Sequence, residues 1–174
     1  TPVREAIQML ERQKLVKVIP SRGTIVANIE IEDTEKCYRL LAEIQAFAAE
    51  EACERISEEQ LQALKDCYDQ FATACADGAV EQLLSGDTKF HEIIVKAADN
   101  EYVEDFSRIL QLHISRIRYH YFHENVNPIR SVGHHEKILQ ALVERNKAKA
   151  KEIMREHWLL SMEYSLDIAR KMQI

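Results

Sequence analysis

The sequence carries seven histidines, and three of them, with one aspartate, have the makings of a metal site. Asp87 and His91 form an i,i+4 pair in the phrase Asp-Thr-Lys-Phe-His. On a helix such side chains leave one face, with Cβ atoms about 6 Å apart. That spacing suits two ligands on one cation. His135 and His157 lie in two later helical patterns and would have to converge on the same point. One carboxylate with three imidazoles suits Zn²⁺ or Ni²⁺, and also Mn²⁺ or Fe²⁺. The D-x-x-x-H spacing alone is weakly specific. It also reads as scattered surface histidines beside a solvated aspartate.

The other histidines are less informative. His113 and His120 are seven residues apart and share a helical face, where they could line a pocket or sit at a core edge. A di-iron bundle would need Glu three residues before its histidines. The residues in those positions are Thr88, Leu110, Ile117, His120, Ser131, Val132 and Met154, so that signature is absent. A zinc hydrolase would need a general base beside the metal. Glu136 and Glu156 neighbour ligands in sequence, but successive helical residues point about 100° apart. A metal-dependent hydrolase and a structural adaptor stapled by metal are therefore the alternatives to a binding role. No enzyme activity is expected.

These residues need helices to position them. Four Gly and three Pro in 174 residues imply long helices and few tight turns. The periodicity predicts helices over 34–54, 57–76, 78–97 (with a break near Ser85-Gly86), 101–123, 129–145 and 147–172. Asp33 or Thr34 is the expected N-cap of the first, and Ser57-Glu58-Glu59-Gln60 fits a capping box for the second. Gly78, Gly86, Asn100, Pro128 and Asn146 mark the breaks. Ahead of this body, residues 1–14 place Val3, Ile7 and Leu10 on one helical stripe, opened by Thr1-Pro2. Leu15–Ile19 and Thr24–Val26 read as two short strands around a Pro20–Gly23 turn. The fold class is mostly α, with an antiparallel bundle of six or seven helices behind a short helix and hairpin. The expected division is 1–29 and 30–174.

Charge follows the same division. Residues 1–29 hold five basic against two acidic side chains, a balance of +3. The whole chain is −6, so the rest holds −9. A basic end on an acidic body suits a polyanion contact made by that end. Cys37, Cys53, Cys67 and Cys75 form no C-x-x-C pair and read as small buried thiols of a reducing cytoplasm. No run of 18 apolar residues occurs, so no membrane partner is expected, and no signal-peptide pattern opens the sequence.

A helix followed by a hairpin is the second half of a winged helix-turn-helix. The phrases Thr1-Pro-Val-Arg-Glu-Ala6, Leu15-Val16 and Ser21-Arg-Gly-Thr-Ile-Val-Ala27 closely resemble the DNA-binding domain of the GntR family of bacterial regulators. That resemblance implies operator contacts by Thr1, Arg4, Arg22 and Gly23. It also implies two further helices ahead of Thr1. The body resembles the all-helical FCD domain of the FadR subfamily through Asp87-Thr-Lys-Phe-His91, His135-Glu-Lys-Ile-Leu-Gln-Ala-Leu142 and Met154-Arg-Glu-His157. It implies a metal, Zn or Ni above Mn or Fe, held by Asp87, His91, His135 and His157. The H-x-x-I-L frame favours His135 over its neighbour His134. It further implies a homodimeric, cytoplasmic repressor that binds a small carboxylate effector. Leu41 and Gln45 stand where an arginine and a glutamate of the family's effector phrase are expected. Asn100, His113, Arg116 and Arg118 are the candidates to take over effector contacts.

Overall fold

A computed structural model of the protein describes residues 2–121 and 129–172. Thr1, His123 and Pro128 lie outside the described residues, as does the end of the helix expected to reach 123.

The chain opens with helix α1 (Pro2–Arg12) and an antiparallel pair, β1 (Val16–Ile19) and β2 (Gly23–Val26). The register pairs Val16 with Val26 and Ile19 with Gly23. Ser21 and Gly23 take positive φ values of 64° and 94°, which close the turn between the strands. The second strand begins at Gly23, one residue earlier than its β-forming residues suggest. Glu11 ties the helix to the hairpin, its carboxylate accepting from the Val18 amide at 3.1 Å. Two strands alone are marginal and need such support.

Among the described residues six helices build the body: α2 (Ile31–Arg55), α3 (Glu58–Asp77), α4 (Val80–Ala97), α5 (Glu101–Tyr121), α6 (Ile129–Val143) and α7 (Lys147–Met172). The central contact is α2 against α7. Ala42, Ala46, Ala49 and Ala52 give α2 a small-residue surface that lets its neighbours approach closely. Large side chains fill the remaining space, with Tyr38, Phe71, Phe90, Ile138 and Trp158 essentially buried. The long helices and their order agree with the periodicity.

Three local expectations need comment. Helix α2 starts at Ile31, not near Thr34, and its N-cap residue Glu30 makes no side-chain cap. Asp33 instead pairs with Lys36 at 2.9 Å, and the Thr34 hydroxyl donates to the Glu30 carbonyl. Glu32 and Asp33 in the first turn complement the helix dipole without a cap. Helix α4 runs unbroken through Ser85-Gly86, because Leu83, Leu84, Asp87 and Phe90 bury the surrounding turns. The capping box forms as expected: Gln60 N–H donates to the Ser57 hydroxyl, and Ser57 N–H to the Gln60 side chain. All four cysteines are free; Cys53 and Cys67 are buried, whereas Cys37 and Cys75 are half-buried. Among the described residues, no helix is long and apolar enough to cross a membrane.

Candidate metal centre

Four helices bring their core stripes to one point. On α4 the buried positions Leu84, Asp87, His91 and Ile94 recur at helical spacing, so one aspartate and one histidine interrupt an apolar stripe. On α6, His135 shares its face with Ile138 and Leu142, and all three are fully buried. On α7, His157 follows Ala150 and Met154 along the buried face. Arg118 comes from α5, beside Ile114 and Ile117.

The result is a compact cluster. Asp87, His91, His135 and His157 are all buried, and each offers a ligand atom within 4.8 Å of the others. His91 Nε2 stands 3.1 Å from His157 Nε2 and 3.3 Å from His135 Nε2. His135 Nε2 stands 3.4 Å from Asp87 Oδ1. Metal–ligand bonds of about 2.0–2.2 Å put neighbouring ligand atoms roughly 2.8–3.6 Å apart in octahedral or tetrahedral geometry. These three separations fall in that interval, and all four donors lie within 4.8 Å of one another.

The electrostatics agree with a cation site. Burial pushes His91 and His135 down to about 3, and it holds His157 well below its ordinary value. All three imidazoles are thus neutral at physiological pH, the form that ligates metals. Burial alone would raise the Asp87 carboxyl, but the Arg118 guanidinium beside it holds it well below the usual carboxylate range. Three neutral imidazole edges and a carboxylate facing one another inside a bundle is an arrangement that one shared positive charge relieves. Among the described residues, His91 Nδ1 and His135 Nδ1 are buried without a partner. The acceptor that usually orients a metal-bound histidine is thus not found among them for these two rings.

The walls are aromatic. Phe71 meets His135 edge-on at 4.5 Å between centroids, and Phe90 packs on it at 4.4 Å. Trp158 lies 4.6 Å from the His91 ring. It is anchored by donating from its indole N–H to Gln45, which in turn donates to Ser107. Gln45 therefore locks α2 to α5 and α7, and Leu41 is a fully buried core residue. The sequence offered one sign of the Gln45–Trp158 link, a lone amide in the apolar run Leu-Ala-Glu-Ile-Gln-Ala-Phe. His134, the neighbour of His135, is only half-buried, and its ring lies 6.0 Å from that of His157.

The remaining candidates are placed as follows. Arg118 reaches the cluster, donating from Nη1 to Asp87 Oδ2 at 2.5 Å. Asn100 caps α5, its side-chain oxygen accepting from the amides of Tyr102 and Val103. His113 donates from Nε2 to the Gln13 carbonyl at 2.8 Å, and Arg116 donates to the Ala27 carbonyl. These three are engaged outside the cluster, two of them in joining the helix–hairpin unit to α5. A cavity of about 150 Å³ opens at that joint, lined in part by Lys14, Glu30, Asp33, His113 and Arg116. Arg4, Arg22 and Gly23 are all exposed on the helix–hairpin unit.

Residues 36–159 match the FCD domain. The chain belongs to the FCD domain family. The FCD match runs from α2 into α7 and includes all four cluster residues. Among curated relatives, the HTH-type transcriptional regulator YdhC of Bacillus subtilis is 24% identical over 91% of this chain and 71% of its own length. The HTH-type transcriptional repressor RspR of Escherichia coli is 26% identical over 90% of this chain and 68% of its own length. The fold is that of Escherichia coli McbR/YncC, with a TM-score of 0.85 at 18% identity, covering 94% of this chain and 83% of that one. A GntR protein of Streptococcus agalactiae also matches, with a TM-score of 0.67 at 20% identity, over 92% of this chain and 80% of that one. The two curated relatives are named as transcriptional regulators, in agreement with the reading of the sequence.

Proposed function

We propose that this chain is the effector-binding part, with the end of the DNA-binding part, of a bacterial transcription repressor of the GntR family and FadR subfamily. Residues 1–29 close a winged helix-turn-helix, and residues 30–174 form the metal- and effector-binding, dimerising domain. Asp87, His91, His135 and His157 hold one divalent cation, Zn²⁺ or Ni²⁺ above Mn²⁺ or Fe²⁺. The observation that carries the reading is the convergence of these four buried donors, all within 4.8 Å of one another. A bound ion would supply a Lewis-acidic contact for a small carboxylate effector.

Charge supports an anionic effector. Among the described residues Asp87 is the cluster's one carboxylate, and Arg118 already pairs with it. A doubly charged ion therefore leaves the interior short of negative charge, which a buried site does not tolerate uncompensated. Helix α5 supports a coupling to DNA. It carries Arg118 in the cluster and, within two turns before it, His113 and Arg116 on the carbonyls of Gln13 and Ala27. Effector control requires the effector to favour one of two arrangements of this joint, not binding alone. Arg4, Arg22, Gly23 and Thr1 then face operator DNA in a cytoplasmic homodimer.

The test has two parts. Elemental analysis of purified protein should find about one divalent ion per chain, as for a structural four-ligand site. The full-length protein should retard its own promoter on a gel and release it when small carboxylates are added. Metal-free protein after purification in zinc or nickel would remove the first half. Unchanged retardation across a carboxylate panel would remove the second.

A further inference from the structure

The two oxygens of Asp87 are divided. Oδ1 faces His135 Nε2 at 3.4 Å, and Oδ2 accepts from Arg118 Nη1 at 2.5 Å. Arg118 is itself buried, its side chain 10% exposed against 3% for Asp87. Among the described residues its Nε has no hydrogen-bond partner although it is buried. A buried guanidinium with a free N–H beside a cluster of donor atoms is costly unless another acceptor arrives.

We propose that Arg118 is a positioning residue that sets the charge of the centre. By occupying Oδ2 it leaves one carboxylate oxygen for a cation, weakens the hold on that cation, and keeps an unpartnered N–H for an anion beside it. This rests on the metal-binding reading above. In a dry interior, like charges are felt strongly. A guanidinium and a divalent ion sharing one carboxylate repel each other, and each draws on the same negative charge. Removal of the guanidinium frees the whole carboxylate for the ion and deletes a charged donor for the anion. The two affinities must therefore move in opposite directions. A side chain that only fills space would move them together.

Cobalt(II) and acetate are suitable probes. Cobalt affinity is read by competition with a chelator and by quenching of Trp158, the single tryptophan, 4.6 Å from the His91 ring. Acetate binding is read from the visible spectrum of the cobalt-loaded protein. Arg118→Gln should bind cobalt about tenfold tighter and acetate about tenfold more weakly, as expected for one charge removed from a low-dielectric site. Arg118→Lys keeps the charge but loses the fork, so it should hold cobalt within about threefold of wild type and bind acetate more weakly. Unchanged or weaker cobalt binding by Arg118→Gln overturns the proposal. Should that variant not fold, a fall of cobalt affinity in Arg118→Lys well beyond about threefold, in parallel with that of acetate, overturns it equally. If the wild-type protein binds no cobalt, the metal reading falls and takes this inference with it. Normal cobalt binding without the opposed shifts sinks this inference alone.

Discussion

In α1 no residue is buried, and Val3, Met9 and Leu10 face outward at 71%, 61% and 39% exposure. In the body, by contrast, even Asp87, Arg118 and three histidines are taken out of water. The first region leaves its arginines on the surface, where the charge remains available to a partner. The second buries its charged and titratable groups, where the cost of desolvation is large and each group must find a partner inside. The difference separates two kinds of recognition. A surface reads an external polyanion through exposed cations, while a buried cluster reads a small ligand through convergent donors.

The most severe way to break the comparison is to remove a donor from the cluster. His135→Ala or His157→Ala should reduce bound metal from about one ion per chain to a trace, because a site of four protein ligands rarely tolerates the loss of one. Elemental analysis after dialysis would check it, and full metal content in either variant would refute the ligand set. Next comes the apolar frame. Ile138, fully buried one turn from His135, should cost about 2–5 kcal/mol as Ile138→Ala. Val3→Ala on the exposed face of α1 should stay within about 0.5 kcal/mol. Urea unfolding of both variants measures the contrast, and equal losses would show that α1 is no less packed than the body.

Acid should separate the two regions as well. The buried histidines of the body have folded-state values pushed down by burial, to about 3 for His91 and His135. In the unfolded chain they take up protons near their ordinary value of about 6.5. The unfolded state therefore binds more protons as pH falls below that point, and the metal-free body loses stability from there down towards about 3. Asp87, also lowered, acts with the same sign at the acid end. Melting of chelator-treated protein should be flat between about pH 7 and 8 and fall progressively below pH about 6.5, where unfolded histidines gain protons. A melting point that rises on acidification from 6.5 to 5 would contradict neutral burial of these rings.

Much of this was legible in the residues. Helix lengths followed from the 3.6-residue period and the scarcity of breakers. Asp87 and His91 lay one turn apart, and His135 and His157 each fell in step with apolar neighbours such as Ile138 and Met154. The start of α2 was not legible, because no side chain caps it: the first turn is held by Glu32 and Asp33 acting on the dipole. Nor was Arg118 separated from Arg116. The separating signal exists, since Ser107, Ile114 and Ile117 are buried on α5 and position 118 continues that stripe. Residue 116 lies about 200° from 118 around the helix and points to the hairpin instead. Which carbonyl a side chain meets depends on the docking of distant segments, here Gln13 for His113 and Ala27 for Arg116, and local spacing does not encode it.

The gentlest probe sharpens the comparison most. Arg4 is exposed on the first turn of α1, so its truncation removes little folding energy. In the full-length protein, Arg4→Ala should leave the melting point unchanged while operator binding weakens by about 1–3 kcal/mol, the usual value of one specific side-chain contact to a base edge. If Arg4 instead meets only phosphate, the loss should be uniform across operator sequences and the salt slope should fall by about one. Gel retardation on the operator and on a scrambled duplex, at two salt concentrations, distinguishes these outcomes. A fall in stability matching the fall in binding would mean that α1 leans on Arg4 for its fold. The division between an exposed reading surface and a buried sensing core would then have to be redrawn.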